Sequence, residues 1–515
     1  MSVDAKPTSM AAASSGLDVA SRQDIDKLHG GAIGLIGVLL LTVTGAAPIA
    51  AMLGNVPIVV GNGNGIGAPA AFLFATVVLT VFSVGYAAMA RKVSAVGGFY
   101  SFISHGLGRE LGMALALGSI VAYSVFEAAL AGCFAYFAAA RLSRWGITVA
   151  WPYPALVMLI GVTSLCYFDV KLSAVILGVA LVGEVVSLAI FDVGVFSRAS
   201  SMAHVDFAAL NPFAAFNGFD AAAGNLTPGI ASIGLFFAFW SWIGFEMAPN
   251  YAEESRNPKK IIPLSLYISV ISLGVFYVAT SWAALSAYPS VADAVAAGQT
   301  DASNFFLKPA SAFVGEWLNV AMSCLILTSS FACGMAFHNT ASRYLYSLGR
   351  ERILPAVVGK THRVHKAPYV ASFMQTAIAG VVVIVFAAAL GKDDPSLAYA
   401  GLYGLMALFG TTLILVAQAV VSLAVIAYFR REHPKDHHWF ETLVAPIIAF
   451  VAQVAVIGML VANLDFLSAG YSFAKWIPGL VVAILAVGVI GAIALRRADP
   501  KKYASIGRMI YQGID

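Results

Sequence analysis

Twelve separate stretches of this chain stay apolar for about 20 residues, the length a helix needs to cross the hydrocarbon core of a bilayer. They run approximately over 31–60, 67–90, 111–140, 152–169, 172–195, 229–256, 262–288, 312–342, 369–391, 399–428, 443–464 and 474–495. Lipid offers no partner to open backbone N–H and C=O groups, and these runs exceed the length of a barrel strand, so each is read as a helix. Composition agrees: of 515 residues 60% are hydrophobic and 11% charged, against about 25% charged in soluble domains. A cytosolic enzyme, a nucleic-acid binder and a disordered scaffold are thereby excluded. The expected fold is all-α, membrane-embedded and polytopic.

Charge gives the orientation. With the N-terminus placed inside, 24 of the 30 Lys and Arg fall on the inner side and 6 on the outer: Arg141, Arg144, Arg198, Lys308, Lys392 and Lys475. That bias predicts cytoplasmic N- and C-termini in the plasma membrane. Residues 1–30 carry no apolar run, so they read as a disordered cytoplasmic tail rather than a cleavable signal peptide, and 496–515 as a basic cytoplasmic tail. The four cysteines, Cys133, Cys166, Cys324 and Cys333, lie within apolar stretches, which argues against a disulfide framework. None lies in an expected outer loop, so no disulfide-linked partner chain is expected.

Two spans carry interruptions. The first contains Thr44-Gly45-Ala46-Ala47-Pro48, where Pro48 cannot donate a hydrogen bond and crowds the Thr44 carbonyl, and Gly45 makes departure from helical angles cheap. The sixth contains Trp240-Ser241-Trp242-Ile243-Gly244-Phe245-Glu246-Met247-Ala248-Pro249. Either alone reads equally as a proline kink. If the chain is two five-helix halves, 31–195 and 229–428, followed by two additional helices in 443–495, the breaks fall at equivalent positions, which points to a transporter site. Unwinding frees N–H groups that favour a carboxylate and carbonyls that favour an ammonium or metal cation. An α-amino acid carries both charges a few ångströms apart. No rings of repeated residues mark a channel pore.

Four blocks then carry a resemblance. They are Ser94-Ala95-Val96-Gly97-Gly98-Phe99-Tyr100 with Gly108 and Gly112; the sixth span, Trp240 to Glu246, with Glu253-Glu254-Ser255-Arg256-Asn257-Pro258 and Ile262-Pro263; Arg343-Tyr344-Leu345-Tyr346-Ser347-Leu348-Gly349-Arg350-Glu351-Arg352-Ile353-Leu354-Pro355; and Pro368. In order and spacing the chain resembles the amino acid–polyamine–organocation superfamily of secondary transporters along most of its length. The first break departs from the glycine-rich form of many relatives, although Ala46 and Ala47 still allow close backbone approach.

The resemblance implies two inverted five-helix repeats, broken helices one and six bending around a central site, and helices three, four, eight and nine as the stiffer scaffold. It implies that a substrate carboxylate meets Thr44, Gly45, Ala46 and Ala47, and an amine the carbonyls near Trp240, Ile243 and Gly244. Trp240 matches an aromatic position that covers substrate in arginine/agmatine antiporter relatives; its alternative is plain packing, the reading favoured for Trp242. Three carboxylates lie well inside expected helices, where a charge costs about 2.5–3.5 kcal/mol on insertion scales: Glu127, Glu184 and Glu246. Glu246 matches an acidic family position suited to coupling or proton transfer. Glu184 falls where some relatives place a lysine thought to substitute for sodium, so that role does not carry over; a proton, a cationic substrate or a bond to helix one are its options. Glu127 reads as a coupling acid or a neutral structural one. The three acids tilt the substrate towards cationic amines or polyamines.

Thr328, Ser329 and Ser330 could ligate sodium, a hard cation, or bond within the helices. Proton coupling ranks first. His433, His437 and His438 read as a solvated turn rather than a metal site, and Gly61-Asn62-Gly63-Asn64-Gly65 as an outer turn. With no Walker, His-Glu-x-x-His or Gly-x-Ser-x-Gly pattern, no cofactor, resident metal or catalysis is expected. The expected function is proton-coupled import of an amino acid or related amine. Exchange, sodium symport and a membrane ligand sensor are the rivals.

Overall fold

The computed structural model describes residues 31–507, apart from 94–96, 144, 168–169, 199–200, 202, 221–225 and 469; for 170–177 and 466–467 only the backbone is described. The expectations for tail 1–30, for Ser94, Ala95 and Val96, for Arg144 and for residues 508–515 lie outside the described residues.

Among the described residues the fold is helical throughout, with one isolated bridge between Ile33 and Ser255. The helices that position the site are α1 Leu35–Ala46, α2 Pro48–Ile58, α3 Ala68–Ala90, α4 Gly98–Gly106, α5 Arg109–Ser143, α6 Pro152–Cys166, α7 Val170–Phe196, α8 Ala231–Trp240, α9 Pro258–Ser286, α10 Glu316–Arg350, α11 Tyr369–Leu390, α12 Gly404–Arg431, α13 Ala445–Ala462 and α14 Ile477–Ala498. A tight 3₁₀ segment, Phe245–Tyr251, follows α8.

Ten runs are long and apolar enough to cross a membrane, against the twelve expected. The difference arises at two places. The run Leu35–Ala90 is continuous over 56 residues and takes in both 31–60 and 67–90, because a π-helical segment, Val59–Asn64, bridges α2 towards α3. Helix α6 has only 15 residues and stands apart as a shorter apolar helix.

Burial separates the centre from the rim. The most apolar windows of Arg109–Ser143 and Ala231–Tyr251 are 89% and 94% buried, whereas those of Tyr369–Leu390 and Ser472–Ala498 are 17% and 22% buried. Long helix α5 is therefore the core post, packed against α10, α12 and α14. Helices α11 and α14 present apolar side chains outwards, the arrangement expected where lipid is the solvent. All four cysteines are free: Cys133, Cys166 and Cys333 are buried and Cys324 is exposed on α10.

Candidate functional site

Helix one breaks where proline chemistry dictates, two residues later than Gly45. The residue before a proline is disfavoured in the right-handed helical region. Ala47 leaves that region, not for the extended one the rule favours but for φ 43°, ψ 73°, a left-handed conformation costing an L-residue about 1–2 kcal/mol. Pro48 then opens α2 at the position where its missing N–H is no loss. Gly45 stays within α1 and serves close approach instead: a Cβ there would strike Cε of Met247 and lie 3.2 Å from Cα of Gly244. Gly244 has φ 127°, and a Cβ on it would overlap the backbone of Gly45 and Ala46. The two breaks touch, and at Gly244 the contact and the positive φ require glycine.

A small cavity opens beside this contact. Of the residues assigned to substrate, Gly45, Ala46, Ala47, Trp240 and Ile243 line it; Thr44 and Gly244 do not. Leu130 of α5 and Cys333 and Phe337 of α10 add apolar wall. Three lining residues with hydrogen-bonding side chains, Asn55, Ser241 and Tyr403, were not assigned to the site from the sequence. They form one chain with Trp240, whose Nε1 donates to the Tyr403 hydroxyl at 2.8 Å. Tyr403 donates to Asn55 Oδ1 at 2.7 Å, and Asn55 Nδ2 donates to Ser241 Oγ at 2.7 Å. Asn55 was legible in part, as a polar residue two turns after Pro48 in an apolar run. Trp240 also packs on Phe126 at 4.7 Å, while Trp242 is fully buried against Tyr277, a packing position.

The first turn of α2 has its donors occupied. The Ile49 N–H donates to Glu184 Oε2 (3.2 Å), and the Ala50 N–H to Ser329 Oγ (3.2 Å). Ser329 Oγ donates in turn to Glu184 Oε2 at 2.8 Å, while Glu184 Oε1 is buried without a partner among the described residues. At the sixth break, the Trp240 and Gly244 carbonyls accept from Ile243 N–H and Met247 N–H. Among the described residues no backbone N–H donates to the carbonyls of Ser241 or Ile243.

None of the three interior acids lines the cavity. Glu184 lies behind helix one, as above. Glu246 accepts from the Gly244 N–H (2.9 Å) and the Tyr123 hydroxyl (2.9 Å). Glu127 is held in a buried scaffold network with His338 Nδ1 (3.0 Å) and Gln375 Nε2 (2.7 Å), joining α5, α10 and α11. The triplet on α10 does not act as a group, because successive residues on a helix point about 100° apart. Ser329 alone reaches helix one; Ser330 bonds to the Ile326 carbonyl and the Thr328 hydroxyl is exposed.

At the other end of the broken segments, the family-type blocks meet in ion pairs. Arg343 binds Glu254 at 2.6 Å, both buried, and Arg350 binds Glu253 at 3.0 Å. Just beyond α10, burial pushes the Glu351 carboxyl up to about 8, opposed by its contacts with the Tyr100 hydroxyl and Gly507 N–H.

A multi-pass helical membrane protein, with two broken helices facing one another across a small central cavity, is the class that fold and site define. The sequence profile of the amino acid permease family matches residues 37–502, and the chain belongs to that family. It is 24% identical over 484 residues to the branched-chain amino acid permease BcaP of Bacillus subtilis (strain 168), covering 90% of this chain and 91% of the relative. To the glutamate/serine transporter AimA of the same organism it is 26% identical over 157 residues (30% and 29%). To the gamma-aminobutyric acid permease of Escherichia coli (strain K12) it is 31% identical over 156 residues (29% and 31%). The chain thus matches nearly the whole of the first relative but less than a third of each of the other two.

Proposed function

We propose that this permease imports a neutral α-amino acid with a small or apolar side chain, one proton entering with it. The observation carrying this reading is the position of Glu184: its carboxylate caps the broken helix without lining the cavity, whose wall has no charged side chain. The substrate ammonium meets the carbonyls of Ser241 and Ile243, and its side chain packs on Leu130, Cys333 and Phe337. Its carboxylate lies beside Ala46 and Ala47, near the positive end of α2. Two carboxylates competing for one helix terminus repel each other, so substrate binds with Glu184 protonated. Cationic amines lose their support, because Glu127, Glu184 and Glu246 are engaged away from the cavity. A sodium site would draw on Ser329 and Glu184 alone.

The reading takes the chain as twelve transmembrane helices: two inverted five-helix repeats, 31–195 and 229–428, and two additional helices in 443–495, with cytoplasmic termini in the plasma membrane. The Trp240–Tyr403–Asn55–Ser241 chain then closes the outer side of the cavity. The Arg343–Glu254 and Arg350–Glu253 pairs close the inner side. Access alternates as one set opens.

Thermal stabilisation of the purified protein tests the substrate class, with L-leucine, L-valine, L-serine, γ-aminobutyrate, L-lysine and putrescine as probes. A ligand at a hundredfold excess over Kd stabilises by about 2.7 kcal/mol. Stabilisation by neutral amino acids and not by putrescine or L-lysine is the expected result. Stabilisation by the cationic probes alone would overturn the reading.

A further inference from the structure

A groove of about 490 Å³, open along one side, follows the seam between α7 and the segment that leads into α10. Its size lies within the range of about 300–1,000 Å³ typical of small-molecule sites. Val186, Ala189, Ile190 and Val193 of α7 form one wall, and Phe313 and Val314 the other. Gly194 lets the walls meet, because a Cβ there would strike Cγ2 of Val314. Val186 and Val193 are exposed, so the groove presents bare apolar surface. Arg198 is the one charged residue in its lining.

Arg198 lies two residues past the apolar run Gly178–Phe196. Aromatic side chains gather at this end, as they do at a membrane–water boundary. Phe196 packs on Trp282 at 5.2 Å, and Trp282 on Phe207 at 5.2 Å. Among the described residues, the Arg198 guanidinium donates to the Gly194 carbonyl, at 3.4 Å. The carboxylates before and after it in sequence hold other partners. Asp192 accepts from the Thr280 hydroxyl at 2.7 Å, and Asp206 from the Ala208 N–H at 2.8 Å. A guanidinium fork with five N–H donors therefore keeps donors for an anion.

We propose that this groove holds one anionic phospholipid, its phosphate on Arg198 and an acyl chain laid along Val186, Ala189, Ile190 and Val193. The inference rests on the chain being a membrane protein and not on which substrate it carries. An apolar trough ending in a cation at the boundary matches a lipid in both halves. The phosphate takes the guanidinium in two parallel hydrogen bonds, and the chain covers side chains that water would otherwise meet. With one cation and no acid in the lining, a headgroup of net negative charge is favoured over one that also carries an ammonium. The lipid then spans the seam between α7, which brings Glu184 to the first break, and the lead into α10, which brings Ser329.

Native mass spectrometry of the purified protein tests this, after delipidation and supply of phosphatidylglycerol and phosphatidylcholine in equal amounts. The wild type should retain one phosphatidylglycerol about fivefold more often than one phosphatidylcholine, the upper end for a partly exposed ion pair. High salt should weaken that preference. Arg198→Ala should retain the two lipids equally, with the thermal midpoint of the delipidated protein unchanged. Ala189→Phe, which fills the groove and leaves Arg198 in place, should retain one lipid fewer of either kind. Equal retention of both lipids by the wild type would overturn the proposal. So would a phosphatidylglycerol preference that survives in Arg198→Ala, or wild-type retention in Ala189→Phe.

Discussion

The two sides of the broken first helix make the sharpest comparison in the molecule. On the cavity side, Asn55, Ser241, Tyr403 and Trp240 offer neutral polar groups within an apolar wall. Glu184 and Ser329, which do not line the cavity, hold the N–H groups of Ile49 and of Ala50, the latter itself a lining residue. The same few residues of backbone separate them. In the proposed reading, recognition belongs to the lining residues and charge coupling to Glu184, and what passes between them is the electrostatics of a helix terminus.

The largest expected effect comes from closing the gap between the breaks. Gly244→Val adds bulk where even a Cβ overlaps Gly45, in a backbone conformation that non-glycine residues disfavour. Uptake should fall on the order of 100-fold, since small displacements at such a site are amplified. Near-normal uptake would break the claim that the two breaks must touch.

Next comes the cavity face. Asn55→Ala strips Tyr403 and Ser241 of their shared partner, at about 1–3 kcal/mol for a buried polar group left unsatisfied. Amino-acid affinity should weaken about tenfold, read by isothermal calorimetry, while the pH dependence of binding stays as in the wild type. A changed pH dependence would show that the two faces are not separable. On the opposite face, Ser329→Ala removes one hydrogen bond to Glu184 and one from the Ala50 N–H. Affinity at a single pH should change less than with Asn55→Ala, whereas the midpoint of the pH dependence should move.

The smallest effect lies outside both faces. Glu351 favours its protonated form in the folded protein, up to about 8. With the folded value above the ordinary carboxyl value, the unfolded chain binds fewer protons between them. Stability should therefore be fully present below about pH 4.5 and decline as pH rises through about 8. Glu351→Gln should flatten that part of the thermal-midpoint curve without altering the pH dependence of binding.

The sequence made the spans legible because a bilayer demands length and apolarity from each helix, and Pro48 and Gly244 marked the breaks through backbone rules that act locally. The pre-proline rule marks Ala47 as the residue that leaves the helix, although not its left-handed geometry, and glycine drew attention to Gly45 instead. What stayed hidden was set by distant partners. Asn55 meets residues 186 and 348 positions away, and no local pattern singles out Tyr403. The interior acids were found as residues, but their directions were not: Glu127 turns to His338 and Gln375, Glu184 to helix one, and neither faces the cavity. Consecutive hydroxyls at 328–330 left cation ligation and bonding within the helices open, because a helix sends them to three different neighbours that no local pattern names.

The division between recognition and coupling is tested most directly by measuring amino-acid affinity across pH for the wild type and Glu184→Gln. The account predicts that wild-type affinity falls as pH rises, while Glu184→Gln binds at the wild type's low-pH affinity throughout. A Glu184→Gln protein that keeps the wild-type pH dependence would contradict it.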